Sequence, residues 1–257
     1  MIGSVEKIKK FALNLFFPVF CVQCGQEGTY ICKRCSEFVG EASLICPVCE
    51  ESTFTGETHE ACKGRYTLDG LIGVWEYEGV IKEMLLQIKY RGIAHAAQET
   101  MALAFLAMAK DTARFSPFLS FLLTIDTVLA FVPMWKRKER KRGYNQATLI
   151  TKEIAVISGN SVASLLEKTK DTKSQTDLER KERLQNVKDS FEFAEQTLNP
   201  SISLGAGNTQ NRRGKMPERV VLVDDIWTTG ATMRECCKVL KKAGAKEVWG
   251  FTLARTV

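Results

Sequence analysis

The stretch Val220–Met233 reads VVLVDDIWTTGATM, and it decides how the rest of the chain is interpreted. Its first four residues are apolar and mostly β-branched, which predicts a buried strand. Asp224 and Asp225 follow, and a Thr-Thr-Gly-Ala-Thr turn leads into a predicted helix. A turn at a helix N-terminus presents backbone N–H groups and the positive end of the helix dipole, which suits a phosphate group. The two acids would then lie about where the hydroxyls of a sugar phosphate would be.

The residue types of this turn fit a phosphate site. Gly230 permits a backbone conformation and a close approach that a side chain would block. Three threonine hydroxyls add hydrogen-bond donors for phosphate oxygens. The predicted site comprises Asp224, Asp225, Thr228, Thr229, Gly230, Ala231 and Thr232.

Around this stretch, predicted strands alternate with predicted helices. The strands are Leu71–Tyr77, Thr127–Val132, Val220–Val223 and Glu247–Leu253, and the helices are Val80–Tyr90, Ala96–Lys110, Tyr144–Ile157 and Ala231–Ala243. This alternation indicates an α/β fold with a doubly wound, mostly parallel sheet, whose ligands bind at the carboxyl ends of the strands. Two stretches fall outside the alternation. Lys168–Lys188 is polar and basic, as expected of a mobile lid, and Ser201–Pro217 has the composition of a surface loop.

Seven of the nine cysteines lie between Cys21 and Cys62, where six form three CxxC pairs and the seventh forms a fourth pair of the same spacing with His59. A tight CxxC turn lets two thiolates face one tetrahedral ion, so four such pairs suit two structural zinc ions. The pairs taken in chain order give Cys21, Cys24, Cys32 and Cys35 for one ion, and Cys46, Cys49, His59 and Cys62 for the other. An interleaved pairing is the alternative, and a disulfide framework would require an export signal that we do not find. Cys236 and Cys237 are adjacent in a predicted helix and are interpreted as packing residues.

Composition and charge set the broad class. Hydrophobic residues make up 45% of the 257 residues and the formal net charge is +6, which indicates a globular protein compatible with a phosphate-bearing ligand. Phe11–Phe20 is too short to span a membrane, so we expect a cytoplasmic protein without a membrane span. Residues 1–66 are predicted to form an amphipathic helix (Val5 to Leu15) plus a double zinc-ribbon module, and residues 67–257 the larger domain. Because the chain stops directly after the last strand, the larger domain is expected to have no C-terminal hood over the site, and the zinc module would take that place.

The run Lys136–Arg142, KRKERKR, contains six cations and one acid. Such a run is consistent with contacts to a nucleic-acid backbone, and equally with a solvated helix start near a phosphate site. Trp135 and Tyr144 flank it and could stack on bases, although two aromatics do not define a single-strand platform.

The stretch Val220–Met233 resembles the signature of type I phosphoribosyltransferases, which bind phosphoribosyl pyrophosphate (PRPP). Along nearly the whole chain the sequence also resembles the ComF family, bacterial competence-associated proteins with a phosphoribosyltransferase-like domain. Besides the acidic loop, this resemblance rests on the paired cysteines, Ile88–Arg91, Val132-Pro133, Arg142–Gln146, and Gln175 with Arg183 and Asn186. His59 departs from the family pattern, in which many relatives have a cysteine.

The resemblance implies roles for the residues. Asp224 and Asp225 would hold the ribose 2′- and 3′-hydroxyls and orient the ribose during catalysis, while the threonine loop holds the 5′-phosphate. Magnesium would arrive on the pyrophosphate of PRPP. The turn after the strand Thr127–Val132 is in the topological place for a pyrophosphate contact. Candidates for pyrophosphate or lid contacts are Lys89, Arg91, Met134, Trp135 and Arg137.

Two functions remain open from the sequence. The first is a phosphoribosyltransferase that acts on an unknown acceptor and releases pyrophosphate. The second is a non-catalytic sensor of PRPP or a nucleotide, whose basic face and zinc module contact single-stranded DNA or a helicase-like competence protein. The family points to DNA uptake and natural transformation in either case.

Overall fold

The computed structural model describes residues 18–91, 94–172, 185–194 and 216–256, with the side chains of Arg91 and Ala94 left out. Several sequence expectations lie outside these residues. They are the N-terminal amphipathic helix, most of the lid segment with Gln175 and Arg183, and nearly all of the loop Ser201–Pro217.

The core of the molecule is a five-stranded parallel sheet. Its strands are β1 (Gly70–Glu76), β2 (Thr127–Phe131), β3 (Ser161–Ala163), β6 (Arg219–Trp227) and β7 (Glu247–Arg255). They are arranged in the order β1-β7-β6-β2-β3. β4 (Leu166–Lys168) and β5 (Phe191–Phe193) form a separate antiparallel pair. The predicted doubly wound, mostly parallel sheet is confirmed. Strand β6 lies between β7 and β2, so its main chain pairs on both edges, and its apolar start Val220–Val223 is fully buried.

Seven α-helices occur in the described residues: α1 (Lys33–Ser36), α2 (Gly79–Arg91), α3 (Ala94–Lys110), α4 (Thr112–Leu122), α5 (Lys136–Arg142), α6 (Gln146–Ser158) and α7 (Ala231–Lys242), with a 3-10 turn at Glu60–Cys62. The four helices predicted from the sequence are all present. Helix α6 begins at Gln146 rather than at Tyr144, because the Asn145 side chain caps it by accepting a hydrogen bond from Ala147 N at 3.0 Å. The sequence did not predict α4, which starts at its cap Asp111 and contains Pro117.

Two hydrophobic cores cover the two faces of the sheet. On one face, α2, α3, α4 and α6 contribute side chains to a cluster in which Phe118 stacks on Phe251 and lies against Trp249. On the other face, α7 and the β4–β5 pair cover the strands, and Cys236 and Cys237 are fully buried. Burial raises the pKa of Cys237 to about 12, so this thiol is a packing group, as the sequence predicted.

The cysteine-rich N-terminal segment packs against β1, the edge strand of the sheet. Glu41 pairs antiparallel with Trp75. Leu71 N donates at 2.8 Å to the carbonyl oxygen of Gly56, which lies between Cys49 and His59. Main-chain groups of the edge strand therefore find partners in the segment instead of facing another chain. Arg114 of α4 adds a side-chain link, donating to Glu41 at 3.2 Å and to Ala42 O at 3.1 Å.

Candidate functional site

The cysteine pairs assemble into two compact groups. Cys21, Cys24, Cys32 and Cys35 form the first group, and Cys46, Cys49, His59 and Cys62 form the second, with the candidate ligand atoms of each group within 4.8 Å of one another. The grouping follows chain order, as predicted, rather than the interleaved alternative. All nine cysteines are free thiols in the structure.

Tight turns place these side chains. In the first group Gly25 N donates to Cys21 O at 2.9 Å, and in the second Glu50 N donates to Cys46 O at 2.9 Å. Cys49 Sγ lies 3.4 Å from His59 Nδ1 in the second group. Thiolate and imidazole donors at this spacing match a closed tetrahedral centre, so each group could hold a metal ion.

The acidic pair lies at the carboxyl end of the central strand. β6 continues through Asp224 and Asp225 to Trp227, whereas the sequence predicted that the strand ends at Val223. Asp225 N donates to Asp224 Oδ1 at 2.9 Å. Burial and the neighbouring Asp225 carboxylate raise the pKa of Asp224 well above its ordinary value, and the Lys168 ammonium opposes this effect.

The loop Thr228–Thr232, here called the phosphate loop, connects β6 to α7. Gly230 has a φ of 66° and is the N-cap residue of α7, with no side chain capping the helix. A Cβ built on Gly230 would lie 2.1 Å from Trp227 Cζ2, because the buried indole packs under the loop. Glycine is therefore required at this position both for its conformation and for its lack of a side chain.

The phosphate loop leaves polar groups available to a ligand. The Thr229 hydroxyl is buried and has no hydrogen-bond partner among the described residues. The N-cap of α7 is Gly230, which has no side chain that could cap the first amides of the helix. A small cavity lies between this loop and the acidic pair, lined by Asp224, Ile226, Trp227, Thr228, Gly230, Ala231, Thr232 and Met233. An anion at the loop would meet the Thr229 hydroxyl and the positive end of the α7 dipole.

The turn after β2 lies beside the end of β6. Val132 N donates to Val223 O at 2.9 Å, which brings Pro133, Met134 and Trp135 close to the acidic pair along the sheet edge. Asn145 Nδ2 donates to Val132 O at 3.0 Å, so the start of α6 holds this turn in place. The predicted position of a second phosphate contact is thus adjacent to the first. Arg137 lies in the next helix, α5, and is exposed.

Three further residues border the site, of which only Lys168 was predicted, as the first residue of the lid segment. Lys168 on β4 is buried enough that its pKa is lowered, with Lys138 adding to the effect and Asp224 opposing it. Tyr77, directly after β1, has a pKa raised by burial and then by the Asp225 carboxylate. Arg255 ends β7 in register with Trp227, and its Nε is buried without a partner in the described part of the chain. Tyr77 and Arg255 lie at the carboxyl ends of β1 and β7, and this position is a sequence signal only once the strand order is known.

The remaining predicted contacts are less well defined. Lys89 lies near the end of α2 with its ammonium 5.6 Å from the centre of the Tyr90 ring, and no contact with the phosphate loop is observed among the described residues. The side chain of Arg91 lies outside the described atoms.

Comparison with known proteins first defines the class of the domain. Residues 147–255, from the start of α6 to the end of β7, match the phosphoribosyl transferase domain family. This segment contains β6, the acidic pair and the phosphate loop. Residues 147–255 thus resemble a phosphoribosyltransferase domain, and the predicted fold class is confirmed.

Similarity to individual proteins extends beyond that domain. The chain is 24% identical to Competence protein F of Haemophilus influenzae over 255 residues, which is 98% of this chain and 89% of that protein. It is 24% identical to Competence protein ComFC of Bacillus subtilis, over 93% of this chain and 88% of that protein. It is also 25% identical to DNA utilization protein YhgH of Escherichia coli, over 88% of this chain and 91% of that protein. The resemblance to the ComF family, with its cysteine-rich N-terminal segment, is confirmed.

No described helix combines the length and the apolar character needed to cross a bilayer.

Proposed function

We propose that the chain binds PRPP at the acidic pair and the phosphate loop, and that it transfers the phosphoribosyl group to an acceptor during the use of incoming DNA. One observation carries this proposal: the buried, unpaired Thr229 hydroxyl at the uncapped start of α7, directly beyond two acids on the central strand. The start of α7 would bind the phosphate of a ribose 5-phosphate, and the two acids would bind the hydroxyls of its ribose. The names of the relatives support the link to competence and DNA utilisation.

Each residue has a role in the proposed reaction. The phosphate loop binds the 5′-phosphate, and Asp224 and Asp225 accept hydrogen bonds from the ribose 2′- and 3′-hydroxyls. The bond between C1 and the pyrophosphate oxygen breaks, pyrophosphate leaves with its electron pair, and the acceptor forms the new bond to C1. Positive charge develops on the ribose ring, and the fixed carboxylates stabilise it without reorganising. Bound magnesium would neutralise the charge of the departing pyrophosphate.

Two lysine ammonium groups near the site have the charge that the pyrophosphate leaving group requires. Lys168 is half-buried near Asp224, and its ammonium donates to Thr172 Oγ1 at 2.8 Å. Lys138 donates to the main-chain oxygen of the same residue at 2.7 Å. Thr172 precedes the segment 173–184, which the sequence predicts to be part of a lid. That segment lies outside the described residues. The two ammonium groups would neutralise negative charge on the departing pyrophosphate.

We also propose that the two cysteine groups hold zinc as structural ions. All four positions of each group would be filled by protein, which leaves no open coordination site for chemistry. The module contacts the end of β1, where Glu76 N donates to Gly40 O at 3.0 Å. This position, next to Tyr77, supports the role of a hood over the acceptor.

Release of pyrophosphate from PRPP tests whether transfer occurs. We expect the wild type with magnesium to release pyrophosphate when an acceptor from a panel of nucleobases, nucleosides and single-stranded DNA is supplied. Asp225→Asn should reduce the rate by about 100-fold, the size of effect expected for one lost electrostatic contact. PRPP binding without release for any member of the panel would favour the sensor instead.

A second candidate function is binding of single-stranded DNA along α5. Arg137, Arg140 and Lys141 are exposed on this helix and have no ion pair within the described residues. By contrast, Lys136 pairs with Glu167 and Lys138 pairs with Asp171. Free cations on a short helix beside the site would contact a phosphate backbone.

The salt dependence of DNA binding tests this candidate. Each phosphate contact contributes roughly 0.7 to the slope of log K against log salt for a single strand. Arg137→Ala/Arg140→Ala should therefore lower the slope by about 1.4. Lys242→Ala/Lys246→Ala removes the same charge at the far end of α7 and should leave the slope unchanged. Equal slopes for both double variants would exclude α5 as the DNA contact. A helicase-like partner and a cytoplasmic location stay predictions.

A further inference from the structure

Arg234 joins three parts of the molecule that are distant in sequence. On the side of the phosphate loop, its Nη1 donates to Thr229 O at 3.0 Å, and its guanidinium lies 5.1 Å from the centre of the Trp227 ring. On the side of the cysteine-rich segment, its Nε donates to Pro47 O at 2.7 Å. Its Nη2 donates to Glu50 Oε1, also at 2.7 Å. The planar fork of donors on arginine fits this arrangement, and lysine could not reproduce it.

The contacts on the second side all fall on one turn of the second metal group. Pro47 lies between the candidate ligands Cys46 and Cys49, and Glu50 follows Cys49 directly. Glu50 has a left-handed backbone with a φ of 66°, and its N–H donates to Cys46 O. A metal ion held by Cys46 and Cys49 would fix this turn, and with it the two oxygens that Arg234 contacts.

The contacts on the first side fall on the residues that shape the phosphate loop. Thr229 O belongs to the residue whose hydroxyl is unpaired, and Trp227 packs under Gly230. Arg234 also belongs to the first turn of α7, where its N–H donates to Gly230 O at 2.9 Å. A shift of the guanidinium would therefore move both the carbonyl of the loop and the indole beneath it.

We infer that Arg234 is a positioning residue that couples the second metal group to the phosphate loop. A metal ion bound by Cys46, Cys49, His59 and Cys62 holds the turn, the turn holds Arg234, and Arg234 holds the loop in the conformation that binds phosphate. This inference rests on the proposed function for the ligand, but the coupling itself is a property of the chain. Because linkage is reciprocal, a ligand at the loop also raises the affinity for the metal by the same factor.

Hydrogen exchange of the loop amides tests the coupling without any ligand. We expect removal of metal from the wild type by a chelator to speed exchange of the amides of Thr228–Arg234 by roughly fivefold or more, the lower end of typical coupling between sites. In Arg234→Ala the same amides should exchange rapidly even with metal bound, and chelation should change their exchange rates by less than about twofold. Arg234→Lys keeps the charge without the fork of donors and should behave like the alanine variant.

Arg114→Ala is the matched control. Arg114 also joins the cysteine-rich segment to a helix through a carboxylate and a carbonyl, yet it does not touch the phosphate loop. In Arg114→Ala, chelation should speed exchange of the loop amides by as much as it does in the wild type. An unchanged wild-type loop after chelation would overturn the inference, and so would an undiminished response in the Arg234 variants.

A parallel titration with PRPP and magnesium separates this inference from the proposed function. Metal-loaded wild type should bind PRPP more tightly than chelated wild type, and Arg234→Lys should lose that difference. If metal-loaded wild type does not bind PRPP, the proposed function fails, while the exchange data still decide the coupling.

Discussion

Gly230 shows how closely a single residue controls the phosphate loop. Its φ of 66° and the Trp227 ring, 2.1 Å from where a Cβ would lie, both exclude a side chain. We predict that Gly230→Ala lowers the free energy of unfolding by about 2–4 kcal/mol, from left-handed strain and overpacking together. Urea denaturation measures this change.

Gly159→Ala is the control for the loop glycine. Gly159 has a φ of 77° but open space where a Cβ would lie, so its substitution adds strain without overpacking. A cost of only about 1 kcal/mol is expected there. Equal losses of unfolding free energy at the two positions would mean that overlap with the Trp227 ring adds no cost at Gly230.

The ionised form of the Asp224 carboxylate destabilises the folded state. Burial, together with the Asp225 carboxylate, raises its pKa in the folded state above the ordinary value of 3.8. The folded state then binds the proton more tightly than the unfolded state, so stability falls as pH rises from about 4 through the raised pKa. We predict that Asp224→Asn raises the melting temperature at pH 7, and that the gain disappears below pH 4. A lower melting temperature for the variant at pH 7 would contradict this assignment.

At the scale of elements, the sequence predicted the four long strands of the sheet and four of the helices, because their apolar periodicity is regular. It did not predict that β6 extends through Asp224 and Asp225, since acids are rare in strands and only pairing with β7 keeps them there. It also missed α4, because Pro117 lies inside the helix. The β4–β5 pair was missed because the strands are only three residues long and far apart in sequence.

The metal groups are predicted to behave as independent elements of four ligands each. Metal analysis of the wild type should give two zinc ions per chain. His59→Ala should lose one of them, because three protein ligands bind a structural ion weakly, and His59→Cys should retain both. His95→Ala removes the other histidine, which lies in α3 outside both groups, and should keep two. A wild type that retains a single ion would contradict the second group.

At the scale of the whole molecule, the sequence predicted that the acidic pair and the loop lie together at the end of one strand, but not how the parts of the molecule meet. The acidic pair and the loop could be predicted because strand, acids and turn are contiguous in the chain. The contact of the second metal group with the loop could not, because Arg234 and Pro47 are separated by 187 positions. Arg255 and Tyr77 were missed for a related reason, since the strand order that brings them to the site is set by packing.

The central claim is that the acidic pair and the phosphate loop bind PRPP. Calorimetric titration of PRPP with magnesium into the wild type and into Asp224→Asn/Asp225→Asn tests it most directly. We predict saturable binding to the wild type and a loss of at least roughly 100-fold in the double variant, because two hydrogen bonds to charged groups are removed. Absence of binding to the folded wild type, or equal affinity for the two proteins, would contradict the account.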